Sequence, residues 1–265
     1  MPLRVLFPRL FQIGHVGIPT YGVFSAAALL TALALAMHFG RRLGLRADKI
    51  WNAGLVAILT ALIGERLLLV LAHLSIFRAH PFWILGLTTV RSEWIVMGSV
   101  VLGLAAAVLY TQAEGLSLLR AADAAAPALA AGIALERIGA LCAGIDYGTP
   151  TTLPWGVTYH SLIAAIWYRV PLGVKVHPVQ MYEAAASVLI FALLLWWLPR
   201  RTQDGELAGG WLLLYGAASF FLGLWNGTPR TNTLFHGTVT IAQAIALVAV
   251  LAGGLLWLRR PAEKA

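Results

Sequence analysis

Residues 177–187 read His-Pro-Val-Gln-Met-Tyr-Glu-Ala-Ala-Ala-Ser, with Gln180, Glu183 and Ser187 spaced three and four apart. That spacing draws an amide, a carboxylate and a hydroxyl along one face of a helix. Facing a bundle interior, such a stripe would line a wet pocket the size of a lipid headgroup. His177 suits a helix cap, with Pro178 at the first helical position and Gln180 reaching back to the cap N–H. Two acid-base dipeptides, Glu65-Arg66 and Glu136-Arg137, fall inside long apolar runs. A charge in such a run costs roughly 3 kcal/mol or more in lipid unless it is paired or hydrated, so each marks an ion-pair knot or a functional site. Neighbours on a helix point about 100° apart, so bridges to other helices are expected rather than pairing within each dipeptide. Buried arginine is also a natural two-pronged ligand for phosphate, which makes Arg66 and Arg137 candidates.

Other chemistries lack their signatures. The single cysteine, Cys142, lies in an apolar run and reads as a packing residue, and one cysteine permits no intrachain disulfide. The histidines at 15, 38, 73, 80, 160, 177 and 236 form no His-x-x-x-His unit, so no metal site is expected.

The elements that must position these residues follow from composition. Of 265 residues 60% are hydrophobic and 11% charged, with a mean hydropathy of +0.80. This is the profile of an integral membrane protein. A spanning helix needs about 20 apolar residues. Seven windows meet or approach that length: 21–38, 51–73, 94–112, 121–145, 182–198, 207–225 and 239–258. Long unbroken runs exclude a β-barrel, so the expected class is all-α and polytopic, as one transmembrane domain over 1–265.

The first twenty residues carry Pro2, Pro8, Pro19, Arg4, Arg9 and His15 and show no signal-peptide core, so they are expected to be retained at the interface. Residues 146–176 form a loop between the fourth and fifth spans. Placing the N-terminus outside and the C-terminus inside puts ten basic residues in the cytoplasm against seven opposite, with Arg66 and Arg137 inside spans. Four of the ten, Arg41, Arg42, Arg46 and Lys49, flank the first two spans, which favours this orientation. The net charge of +8 suits anionic headgroups. No basic patch accompanies a nucleic-acid motif, so nucleic acid is not an expected partner.

The fourth span has eleven alanines between 121 and 143, plus Gly132 and Gly139, so neighbouring helices can approach its backbone closely. Asp123 and Pro127 near its start read as capping or kinking residues.

His177 to Glu183 is similar to the His-Pro-x-Gln-Leu-Tyr-Glu segment of bacterial prolipoprotein diacylglyceryl transferases. Tyr21-Gly22, Gly64-Glu65-Arg66-Leu67, Arg137-Ile138-Gly139, Tyr147-Gly148 and Leu153-Pro154-Trp155-Gly156 resemble further family segments in the same order, and Tyr215-Gly216 and Gln243 match more weakly. The resemblance covers nearly the whole chain.

It implies a multi-pass enzyme of the bacterial inner membrane. At the outer face, such an enzyme moves a diacylglyceryl group from phosphatidylglycerol, or another anionic phospholipid, to the lipobox cysteine of a preprolipoprotein. It implies no metal or organic cofactor. Arg137 and Arg66 would hold the phosphate, Tyr21, Gln180, Tyr182 and Glu183 would orient headgroup or thiol, and Asp146 or His177 would serve as base.

The chain departs from the family pattern at chemical positions. Met97 stands where the family has histidine, and Ala140, Ala143 and Ile145 replace two asparagines and a glutamate, with Asp146 one residue displaced. Ser219 and Gly223 replace an arginine and a glutamate. A lipid-binding scaffold without catalysis is therefore an alternative reading, and a small-solute transporter a third.

Overall fold

The computed structural model describes residues 7–13, 16–80, 82, 93–227, 233–234 and 239–259. His15, His236, Arg4, Arg91, Arg230, Arg260 and Lys264, which entered the charge and histidine readings, lie outside them. In order, the chain forms β1 (Arg9–Ile13), β2 (Val16–Pro19), α1 (Thr20–Arg42), α2 (Ala47–Ala72), α3 (Leu74–Ala79), α4 (Glu93–Ala113) and α5 (Leu118–Ala143). There follow β3 (Val157–Thr158), α6 (Leu162–Tyr168), β4 (Lys175–Val176), α7 (Val179–Trp197), α8 (Glu206–Leu222), β5 (Thr233–Leu234), β6 (Val239–Thr240) and α9 (Ile241–Leu258). Among the described residues seven helices, α1, α2, α4, α5, α7, α8 and α9, are long and apolar enough to cross a membrane. The protein is all-α and polytopic. The strands form three antiparallel two-stranded pairs, β1 with β2, β3 with β4 and β5 with β6.

The chain divides into two compact units, Gly40–Ala121 and the remainder. In the smaller unit α2 packs on α4. A Cβ on Gly103 would meet the Ala57 carbonyl 2.7 Å away, so the two backbones approach at a distance only glycine permits. Lys49 pairs with Glu114 across the unit.

In the larger unit the alanine-rich α5 plays the part its composition implied. A Cβ on Gly132 would lie 3.1 Å from the Ala28 carbonyl, and one on Gly139 would run into the Phe24 side chain, so α1 lies directly against α5. Asp123 does cap a helix, but not its own. It is fully buried, and it accepts from the backbone N–H groups of Gly205 (2.8 Å) and Ala208 (2.9 Å) at the start of α8. Glycine at that N-terminus has no side chain to offer, and an acid from α5 supplies the missing acceptor.

The segment 144–178 folds on a core of Leu141, Tyr147, Val157, Tyr159, Ala164, Val170 and Val176. Burial is the main reason the Tyr159 phenol is pushed up to about 12. It therefore stays a neutral donor, bonded to the Leu141 carbonyl at 3.4 Å.

The capping scheme expected for α7 is not what forms. Pro178, not His177, occupies the N-cap, and no side chain caps it. Gln180 is fully buried, and its Nε2 donates to the Ile145 carbonyl (2.6 Å) and to the Tyr159 hydroxyl (3.4 Å). A buried amide is worth more to the protein satisfying a buried carbonyl than turned back on an accessible helix end.

Candidate functional site

Arg137 projects from the last two turns of α5. Its Nη1 donates to Asp146 Oδ2 and to Glu183 Oε2, each at 3.1 Å. The bridge to Glu183 on α7 is the interhelical link expected of a charge on a spanning helix. Pairing within the dipeptide also occurs, against expectation. Arg137 Nε lies 2.7 Å from Glu136 Oε2, because the long arginine side chain can fold back across the 100° that separates the two Cβ directions. Three carboxylates thus surround one guanidinium.

Two tyrosines complete the ring. Tyr21 from α1 presents its hydroxyl to Glu136, and Tyr215 from α8 lies within the field of Arg137, Glu183 and Glu136 while bonding Ser219. Tyr215 also stacks on Trp211, with ring centroids 5.4 Å apart and planes 5° from parallel. The stripe on α7 faces inward as the spacing predicted: Gln180 and Ser187 are fully buried and Glu183 largely so. Buried polar atoms here lack hydrogen-bond partners, namely Glu136 Oε1, Arg137 Nε, Gln180 Oε1 and Ser187 Oγ. A native membrane protein rarely leaves such a group of orphans unless water or a polar ligand meets them.

Asp146 reaches the ring through the backbone. α5 ends at Ala143, Gly144 takes φ +86°, and Asp146 itself takes φ +55°. Aspartate is among the few L-residues that tolerate the left-handed region. The turn aims its carboxylate back at the helix it has just left. Its side chain is 41% exposed against 18% for Glu136, so it forms the rim and Glu136 the floor.

Where the family carries amides and a carboxylate, Ala140, Ala143 and Ile145 form a buried apolar cluster with Tyr21 and Tyr168 packed against it. The acids of this chain are displaced around that dry patch. Ser219 touches Tyr215, and Gly223 lies beside Gln243 of α9.

Of the sequence candidates, Arg137, Asp146, Glu183 and Tyr21 come together here. His177 and Tyr182 form a second cluster: His177 Nδ1 is 3.5 Å from the Tyr182 hydroxyl, which accepts from Trp155 Nε1 at 2.8 Å, and the His177 ring lies 6.4 Å from that of Trp225. Gln180 ties the segment 144–178 to α7. Arg66 and Met97 belong to the smaller unit, on α2 and α4. Sequence reasoning treated Glu136 as half of an ion-pair knot and gave Tyr215 no role. The available signals were a tyrosine at the middle of an apolar helix and the weak match of Tyr215-Gly216 to a family segment. Among the described residues no group of histidine, cysteine and acidic side chains is placed to hold a metal.

The prolipoprotein diacylglyceryl transferase family matches residues 8–259. A phosphatidylglycerol–prolipoprotein diacylglyceryl transferase of Clostridium tetani is 26% identical over 93% of this chain and 94% of that protein. One of the same name from a Nostoc species is 30% identical over 97% of this chain and 93% of that protein. Another, from Clostridioides difficile, is 27% identical over 92% and 91%. Because the match runs nearly end to end and takes in both clusters, this chain belongs to the prolipoprotein diacylglyceryl transferase family.

Proposed function

We propose that this protein transfers the diacylglyceryl group of phosphatidylglycerol, or a related anionic phospholipid, to the lipobox cysteine of a preprolipoprotein. The setting is the outer face of the bacterial inner membrane, with the N-terminus outside, the C-terminus in the cytoplasm and the chain acting as one transmembrane domain. Family membership over the whole chain carries the reading. Neither a lipid-binding scaffold without catalysis nor a solute transporter is favoured by it.

In the reaction the cysteine sulfur attacks the glyceryl carbon that bears the phosphate. The carbon–oxygen bond breaks, its electron pair goes to the phosphate oxygen, and glycerol phosphate leaves. The thiol proton passes to a base. Charge builds on the departing phosphate, and a fixed guanidinium in a water-poor site lowers that barrier. Arg137 takes this role, held in place by Glu183 and Glu136. Asp146, at the rim where a peptide arrives, accepts the proton. Tyr21 and Gln180 orient the headgroup, while His177 acts through Tyr182 on the incoming substrate.

The test is product formation. The purified protein, given phosphatidylglycerol vesicles and a lipobox peptide, is expected to yield a thioether-linked diacylglyceryl peptide by mass spectrometry, and its gene to restore lipoprotein modification in cells depleted of their own enzyme. Bound phospholipid with neither result would reduce the protein to a lipid-binding scaffold.

A further inference from the structure

Segment 144–178, outside the spanning helices, contains a helix built inside out. α6 turns Ala164, fully buried, and Tyr168 toward the core. Two of its three larger aliphatic residues point away, Leu162 69% and Ile166 76% exposed with Ile163 half-buried, and Trp167 beside them is 40% exposed. A helix facing water would reverse this pattern. The exposed side continues onto the N-terminal hairpin, where Arg9 sets its guanidinium 5.2 Å over the Trp167 ring and Phe7, Leu10 and Phe11 are exposed.

The depth of this patch follows from what it touches. Phe7 N donates to the Cys142 carbonyl in the last turn of α5 (3.2 Å), and Leu141 of that turn shares a core with Ala164. β2 runs directly into α1 at Thr20. Hairpin and α6 therefore lie against the ends of two helices long enough to span a membrane. Arg9 and the exposed Arg169 at the end of α6 supply cations beside the apolar surface. Large apolar side chains, a tryptophan and flanking arginines match the chemistry of an anionic phospholipid interface.

We propose that α6 and β1 rest in the lipid interface of the leaflet at the C-terminal end of α5, with Leu162, Ile166 and Trp167 among the acyl chains and Arg9 and Arg169 at the phosphates. The segment 144–178 is then half-immersed rather than a loop in water. This depends on the membrane embedding of the chain and not on its catalysis, so the transferase reading can fail while the immersion stands.

Spin labels at Leu162→Cys and Ile166→Cys, in full-length protein with Cys142→Ala and in nanodiscs containing phosphatidylglycerol, report depth by collision. Oxygen is expected to collide with both more often than a water-soluble nickel chelate does, and the order should reverse at His160→Cys, which is exposed on the same segment. Labels at 162 and 166 that favour the chelate would overturn the proposal. So would labels shielded from both reagents, which would mean cover by protein, such as a second copy. If the cysteine variants do not fold, hydroxyl-radical footprinting of the unaltered protein in nanodiscs decides: Leu162 and Ile166 oxidised as readily as His160 would equally end it.

Discussion

Helix α5 carries an ion cluster near each end, and the two differ in how completely their polar atoms are answered. Near the N-terminal end, Asp123 Oδ1 accepts from Ala208 N, and Oδ2 from Gly205 N and from Arg201 Nη1 at 3.1 Å. Arg201 is shared in turn with Asp204 at 2.9 Å. That network is closed. At the C-terminal end, Arg137 meets three carboxylates, yet Glu136 Oε1 and Arg137 Nε have no hydrogen-bond partner. A closed network stabilises one arrangement and has nothing left to offer a ligand, whereas an open one is stable only with a guest or water in it. Both look alike in sequence, as acids and arginines among alanines.

The largest effect that would break this contrast is at the open end. Arg137→Ala is expected to lower the transfer rate roughly a thousandfold, about 4 kcal/mol, in line with loss of a preorganised group that meets developing charge. The thermal midpoint in detergent should fall as well, because three partly buried carboxylates lose their shared counter-ion, so the rate is taken per folded molecule. Transfer kinetics and unfolding measured on the same preparation check both halves. Activity retained within a few-fold would place the phosphate elsewhere.

The closed end should lose stability alone. Asp123→Asn keeps one acceptor but turns an amide NH2 toward backbone N–H groups or Arg201, with an expected loss of about 2 kcal/mol of stability. The rate per folded molecule should stay unchanged. A lower midpoint with normal specific activity supports the division. A stable but inactive variant would make Asp123 part of the chemistry and erase the difference between the two ends.

Sequence revealed the frame better than the connections. All seven spans were legible from apolar length, since lipid demands about 20 such residues and tolerates little else. The inward stripe of Gln180, Glu183 and Ser187 was legible from helical spacing. The short hairpins and α6 were not, because strands of two residues and a helix of seven carry too little pattern to read. Asp123 was read correctly as a cap but assigned to the wrong helix, since its partners lie more than eighty residues away. Tyr215 was hidden for the same reason. Gln180 was read as reaching back to its own helix end, and only tertiary structure brings the Ile145 carbonyl within its reach.

Asp146 sharpens the comparison most finely, because its position depends on backbone and side chain together. Asparagine tolerates φ +55° as aspartate does, so Asp146→Asn removes charge and proton acceptor while leaving the turn intact. Alanine at the same site adds backbone strain. The expected loss for Asp146→Asn is about tenfold in rate, close to 1.4 kcal/mol. How the loss divides identifies the role. A residue that only steadies Arg137 would weaken lipid binding and raise KM with kcat kept, since the guanidinium would be less well placed for the phosphate in ground and transition states alike. A residue that takes the thiol proton would lower kcat, and the acid limb of the rate profile would change shape as the acceptor is lost. The second outcome is expected from its place at the rim. A drop with Asp146→Ala but not with Asp146→Asn would assign it to the turn alone, leaving Glu183 as the acid of the open cluster that meets the substrate.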